Sequence, residues 1–362
     1  METFIESDIN RVRKSYKHLL IDYDSTIPNL ALMKISSWAK QKGDQVYLNQ
    51  IDDEPDYIWL SCLFTWHSEK ALRKLNFLAV EYPNAKISYG GTGFDAGKPY
   101  KDKSRKYLPP EIDNMKPDYD LYKDDRAIGF CQRGCDRRCP FCDVWRKEGK
   151  IDENEYHRLK EWVPDDRKKV LLLDNDVALF EKWKHDQILS DARDMGLKLS
   201  ITQGYDIRVI ANEPERAYDL AQNKPYDTNF HRRTLYIAWD MLHIEKSVRK
   251  GIESLLDAGF KGYEIKCYII VGSPDRWFKE PYKYYPERDL HRAEVLWKEY
   301  GVYPWVMPYD NVKTDQKVID FERWINKYLF KIMDFKDYDR SMRKNKGRKH
   351  LTANIDSFVL DE

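Results

Sequence analysis

The chain has 362 residues, enough for two or three domains of ordinary size and for a core that needs no disulfide support. Its 62 Lys+Arg against 61 Asp+Glu give a formal net charge of +1, which removes any global electrostatic case for nucleic-acid binding. Aromatic residues at 14% argue against disorder, no apolar run approaches the ~18 residues of a membrane span, and no signal-peptide core opens the chain, so a cytoplasmic globular protein is expected.

In chain order, HLLIDYD (18–24) reads as a strand ending in acids. NLALMKISSWAKQKG (29–43) reads as a helix, with Leu30, Met33, Ile35 and Trp38 near helical spacing and Gly43 at its end. QVYL (45–48) and YIWLSCLF (57–64) follow as strands. SEKALRKLNFLAVEY (68–82) is a second amphipathic helix, with Leu72, Leu75, Leu78 and Ala79 on one face, and AKISYGGTG (85–93) is a strand running into a glycine turn. Strands alternating with helices predict a Rossmann-like parallel sheet over 1–95, with ligand-binding loops at the strand carboxyl ends. The stretch 96–125, rich in Pro, Lys and Asp, reads as a linker.

A second series then begins: RAIGFC (126–131), KKVLLLDND (168–176), LKLSITQGYDIR (197–208), RTLYIAWD (233–240), YEIKCYIIVG (263–272) and VYPWVMPYD (302–310). Helical stretches such as ERAYDLAQ, VRKGIESLLDAG and LHRAEVLWKEYG separate them. Six strand–helix repeats predict a partial (β/α)6 TIM-type barrel over 126–310. The remainder, 311–362, reads as an amphipathic helix, TDQKVIDFERWINKYLFKIM, and a basic tail, RSMRKNKGRK (340–349). That tail reads as a solvated terminus; contact with a polyanion such as nucleic acid stays open.

Four of the six cysteines fall within twelve residues, in GFCQRGCDRRCPFCDVW. In a reducing compartment so tight a cluster points to a metal site rather than a disulfide framework. Cys135, Cys139 and Cys142 form C-x3-C-x2-C, with Phe141 directly before the last. Three thiolates on one short loop can hold three irons of a [4Fe–4S] cluster and leave the fourth without a protein ligand, whereas electron-carrier clusters normally take four cysteines. A structural zinc would want a fourth ligand and paired C-x2-C spacing, and neither Cys131 nor His157 completes such a pattern. Cys62 and Cys267 lie in expected strands and read as packing residues.

The motif resembles that of the radical S-adenosylmethionine (radical SAM) superfamily, in which C-x3-C-x2-C follows the first strand of a partial barrel and an aromatic residue precedes the third cysteine. Nearly end to end, through PNLALMKIS, GGTGFD, TQGYDIR and WVMPYD, the chain also resembles a type from phage and gut-bacterial genomes with no assigned substrate. The resemblance implies a [4Fe–4S] cluster, S-adenosylmethionine (SAM) chelated to the open iron, reductive cleavage to a 5′-deoxyadenosyl radical, and hydrogen abstraction from an unknown substrate. It also implies an external one-electron donor of flavodoxin or ferredoxin type.

Residue by residue, the resemblance places SAM contacts at Phe141, at Asp174, Asn175 and Asp176 ending the second barrel strand, and at Gln203, Asp206 and Arg208 ending the third. Arg208 is favoured as a carboxylate partner for its bidentate fork. Gly272 matches a glycine that lets adenine approach the backbone, and Met307 lies in the Val306–Asp310 segment facing the same ring. Trp239 and Asp240 are expected on the substrate side. Cys131 is either a hydrogen donor or a buried small residue.

The N-terminal domain resembles the cobalamin-binding domain that precedes the barrel in one radical SAM group. Its Ser-x-Leu signal is present as Ser61-Cys62-Leu63 and its Gly-Gly signal as Gly90-Gly91, with 26 residues between them. At the cobalt-ligating histidine the sequence has Asp24, so no His-on cobalamin is expected, and His67 reads as a surface residue or a stray ligand. Asp24, Ser61, Leu63, Gly90 and Gly91 therefore mark a cofactor or substrate site of altered chemistry. Two rival functions stay open: a cobalamin-dependent methyltransferase and a non-catalytic metal-binding adaptor.

Overall fold

The computed structural model describes residues 14–95, 98, 104, 107–153, 155–272, 286–309 and 312–340. The basic tail beyond Arg340, the N-terminal thirteen residues and Asp310 lie outside these.

The first sheet contains β1 (Lys17–Asp22), β2 (Gln45–Leu48), β3 (Tyr57–Ser61) and β4 (Lys86–Gly90), in the order β2-β1-β3-β4. All its pairings are parallel, with His18 opposite Tyr57 and Tyr57 opposite Lys86. The run HLLI is continuously apolar because both faces of β1 are covered. Alternation sends Leu19 and Ile21 to one core with Ile58, Leu60, Ala71, Leu75 and Leu78, and Leu20 to another with Leu32, Ile35 and Ile112. Each such side chain contributes roughly 1.5–3 kcal/mol relative to an exposed one.

Helix Leu30–Gln41 connects β1 to β2, its first turn capped by the Asn29 side chain, which accepts the Leu32 N–H. Helix Ser68–Glu81 connects β3 to β4. The strand order therefore reverses at β1 and β3, whose carboxyl ends form the crevice where sheets of this type bind ligands.

All six later strands form, each shorter than expected: β5 (Arg126–Gly129), β6 (Lys169–Leu172), β7 (Lys198–Ile201), β8 (Leu235–Ala238), β9 (Ile265–Val271) and β10 (Tyr303–Pro308). They make two three-stranded parallel sheets, β5-β6-β7 and β10-β9-β8. The chain divides into two compact units. One runs through Gln203 and takes in Asn223–Arg233; the other comprises Gly204–Gln222 and the chain from Thr234.

Several expected details change. Helix Ser68–Glu81 buries Ala71, Leu75 and Leu78, while Leu72 and Ala79 are exposed. The buried i, i+4, i+7 stripe runs through the small Ala71, which packs in one core with Leu75, Leu78, Ile58 and Leu60. Helix Leu30–Gln41 faces inward through Leu32, Met33, Ile35 and Ala39, with Trp38 half-buried against the same core. The third barrel strand stops at Ile201, and Asp206 caps helix Ile207–Asn212, accepting the Arg208 N–H at 3.0 Å. The long C-terminal helix ends at Asn326 because Tyr328 adopts φ +57°, outside helical space. Among the described residues no helix is long and apolar enough to cross a membrane.

Candidate metal loop and its supports

Strand β5 ends at Gly129 and the chain turns at once into the cysteine loop. None of the six cysteines is in a disulfide, and Cys135, Cys139 and Cys142 are all half-buried. Local backbone bonds shape the loop: Cys135 N–H donates to the Gly149 carbonyl (3.1 Å) and Cys142 N–H to the Cys139 carbonyl (3.1 Å). Trp145 Nε1 also donates to the Cys139 carbonyl (3.3 Å), and Arg146 Nη1 to that of Cys142 (3.2 Å). Gly134 has φ +90°, and a β-carbon there would stand 2.3 Å from the Lys150 carbonyl oxygen.

Burial, reinforced by the negative field of Asp176 and of the two other thiols, pushes the Cys135 thiol up to about 12, while the Arg137 N–H acts in the opposite sense. Such a group loses its proton when a cation takes the proton's place, as metal binding requires. Among the described residues no three cysteines bring their sulfurs within 4.8 Å of one another. Three thiols on one loop are a donor set chemically suited to iron–sulfur ligation. Phe141 is half-buried between Pro140 and Cys142.

The residues ending β6 turn toward this loop. Asp174 is buried, and its carboxylate accepts the Gln132 N–H at 2.7 Å and the Cys131 N–H at 2.9 and 3.1 Å. Burial nevertheless lifts its pKa to about 7 against these N–H donors. Asn175 Nδ2 donates to Glu148 Oε2 (2.7 Å) and to the Gly134 carbonyl (3.3 Å), and Glu148 Oε2 also accepts the Gly134 N–H (3.2 Å). Asp176 accepts the Ala178 N–H at 3.1 Å and caps a short 3-10 turn. Glu148 carried no signal in the sequence. Its spacing from Gly134 pairs the two ends of the loop, a relation that appears only once the chain has turned.

Cys131 is fully buried at the strand end, and its thiol is pushed far up by burial and by Asp174. Gln203 is exposed just beyond β7.

In the second unit, Arg208 gives its Nε and Nη2 to Asp206, both at 2.8 Å, so part of the fork expected to meet a carboxylate meets one within the chain. Gly272 has φ +81°, and a β-carbon there would stand 2.3 Å from Val312 Cγ2, so the side chain of Val312 makes a close approach to its backbone. Met307 is 49% exposed at the end of β10. Trp239 is fully buried and donates its indole N–H to the Met241 carbonyl at 3.1 Å. Asp240 accepts the Ile270 N–H (3.3 Å), and burial lifts its pKa to about 6 against the opposing charge of Arg292. Arg292, buried, clamps the ends of β8 and β9 through the Trp239 (2.6 Å) and Ile270 (3.0 Å) carbonyls.

At the crevice of the first sheet, Asp24 is engaged on every side. Its carboxylate accepts from Leu63 N–H (2.7 Å), Phe64 N–H (3.0 Å) and Cys62 Sγ (3.3 Å), and it pairs with His67 Nδ1 (3.2 Å). Burial opposes the charge, but these donors outweigh it and hold the carboxyl below its usual range. Ser61 Oγ accepts from Asn29 Nδ2 at 2.8 Å. Gly91, at φ +111°, lies so close to Cys62 that a β-carbon would stand 2.2 Å from its carbonyl oxygen, and Gly90 ends β4. The loop offers a corrinoid no imidazole, and its one histidine neighbour is already paired with Asp24. These residues do not fit a His-ligated cobalamin.

No family model matches the sequence, and no curated protein does. Among solved structures, the Streptococcus suis SuiB crystal structure bound to precursor peptide SuiA is similar at 12% identity and a TM-score of 0.36. That match covers 72% of this chain and 59% of the SuiB chain, so the chain spans about three fifths of that protein's length. The catalytic domain of beta-amylase from Paenibacillus polymyxa is similar at 11% identity and a TM-score of 0.26, over 87% of this chain and 90% of that one. Neither likeness is close enough to carry function. What stands on the chain's own geometry is a mixed α/β fold built on parallel sheets.

Proposed function

We propose that this chain is a radical SAM enzyme whose [4Fe–4S] cluster is held by Cys135, Cys139 and Cys142. The observation that carries the reading is three half-buried, unbridged thiols on one loop at the carboxyl end of the first strand of a parallel series. That end is where α/β sheets of this kind place their chemistry. Bound there, the cluster would supply the one electron that splits the sulfonium C–S bond of SAM into methionine and a 5′-deoxyadenosyl radical, which then takes a hydrogen atom from the substrate.

The chain's own residues have separate tasks in this reading. The three thiols ligate iron. Exposed Gln203 and Met307 are the side chains offered to SAM from the ends of β7 and β10. Arg208, oriented by Asp206, offers a cation from the first turn of helix Ile207–Asn212. The barrel expected from the strand–helix repeats of 126–310 would exclude water and stray hydrogen donors from the radical. The domains are 1–95, a linker 96–125, a barrel 126–310 and a C-terminal segment 311–362. The electron comes from a flavodoxin- or ferredoxin-type donor, and the protein works in the reducing cytoplasm, where its thiols stay free.

The test is anaerobic reconstitution with iron and sulfide, followed by elemental analysis and electron paramagnetic resonance (EPR) with and without SAM. The reading expects four irons and four sulfides per chain and a reduced-cluster signal that shifts when SAM is added. Zinc in place of iron would support the adaptor function instead. Copurifying corrinoid would support the methyltransferase.

A further inference from the structure

The loop that carries the cysteines is bound at its base by carboxylates from two separate parts of the fold. From β6, Asp174 takes the N–H groups of Cys131 and Gln132, the residues by which the chain leaves β5. From the segment after the first sheet, Asp113 takes the Arg133 guanidinium as a fork, Nη1 at 3.1 Å and Nη2 at 3.2 Å. Asp113 is itself fixed by Lys34 of helix Leu30–Gln41, whose Nζ lies 2.9 Å from its Oδ1. Three consecutive residues, Cys131, Gln132 and Arg133, are thus each held by a carboxylate before the first ligand is reached. Beyond the last ligand, Lys147 Nζ donates to Thr92 Oγ1 at 2.8 Å, and Glu148 closes the loop back onto Gly134.

We propose that Asp174 and Asp113 are positioning residues that set the cysteine loop in its ligating shape before any metal arrives. This rests on the reading of Cys135, Cys139 and Cys142 as cluster ligands. The physical argument is pre-organisation. A loop whose first three residues are pinned loses little further freedom when the metal binds, and outer partners that orient ligands tune affinity nearly as much as the ligands themselves. Asp174 is accordingly assigned to the loop and not to SAM: its two oxygens are occupied by backbone N–H groups, and it is buried. Asp113 gives the N-terminal sheet domain a role that requires no bound cofactor, since through Lys34 that domain holds the entry to the loop.

The experiment compares the full wild-type chain with Asp174→Asn and Asp113→Asn. Amide hydrogen exchange is read over residues 131–150 of the metal-free protein. The rate of iron loss to a chelator and the EPR line shape are read after reconstitution. The proposal expects slow exchange at Cys131 and Gln132 in the wild type. It expects iron to leave roughly 10-fold faster from each variant, the usual size of such an outer-partner effect, with an altered line shape. Asp113 is half-exposed, so its variant retains a folded reference if Asp174→Asn does not fold. Unchanged exchange, iron retention and line shape in Asp113→Asn would overturn the proposal. If the wild type takes up no iron yet its loop amides are protected and each variant loses that protection, the clamp stands and the cluster reading fails.

Discussion

Gly134 and Lys150 meet so closely that a β-carbon on Gly134 would stand 2.3 Å from the Lys150 carbonyl oxygen. This contact fixes the width of the cysteine loop at its neck, one residue before Cys135. Gly134→Ala must therefore move backbone, in addition to adopting a φ of +90° that alanine disfavours. The expected cost is about 2–4 kcal/mol of stability, with iron uptake reduced at least severalfold. Gly196→Ala, at φ +64° with no atom within 4 Å of the added carbon, is the control and should cost about 1 kcal/mol with iron uptake intact. Chemical denaturation and iron analysis read both.

Asp24 predicts a different outcome. Its removal in Asp24→Ala leaves the N–H groups of Leu63 and Phe64 without their acceptor, at a cost of about 2–4 kcal/mol. Because its folded pKa lies below the ordinary value, the stability it supplies is present above about pH 4 and is lost as pH falls further. Denaturant midpoints of wild type and variant should thus draw together as pH falls below about 4. Asp24→His should not create corrinoid binding, since His67 and the closed Gly91–Cys62 contact remain; a corrinoid absorbance band in that variant would refute this.

Asp240 carries the opposite sign. Its folded pKa of about 6 lies above the ordinary 3.8, because burial outweighs the attraction of Arg292. The group favours the folded state while protonated; that contribution is complete below about pH 4 and lost as pH rises through 6. Asp240→Asn, which stays neutral, should gain about 3 kcal/mol relative to wild type between pH 4 and pH 7 and then show no further change. Paired denaturation curves across that range check the sign as well as the size.

Cys267 tests the assignment of the remaining thiols. It is fully buried on the face of β9 that it shares with Ile265, Ile269 and Val271, and its thiol is pushed far up by burial. Cys267→Ala should cost about 1–2 kcal/mol through lost packing while iron content stays at the wild-type level. Loss of iron in this variant would mean a second metal site.

Much of the fold was legible because apolar periodicity is a local property. The strands at Lys17–Asp22, Gln45–Leu48 and Tyr57–Ser61 follow from short β-branched or aromatic runs between turn signals. Leu72 and Ala71 lie next to each other on helix Ser68–Glu81, and periodicity alone does not say that the smaller one joins Leu75 and Leu78 in the core. Asp206 caps a helix where the apolar run continues the expected strand, although Asp followed by a helix-forming run is a start signal. The cysteine spacing was readable because ligands on one loop are close in sequence. The inward turn of Asp174 and the Lys34–Asp113–Arg133 chain were not, since a carboxylate's partner 42 or 20 residues away is decided by the assembled fold.

The most direct measurement is anaerobic. The protein is reconstituted with iron and sulfide, given dithionite and SAM, and assayed for 5′-deoxyadenosine beside a Cys135/Cys139/Cys142 triple-alanine variant. The wild type should give 5′-deoxyadenosine and the variant none. A protein that loads zinc in place of iron, or equal product from both proteins, would contradict the radical SAM reading.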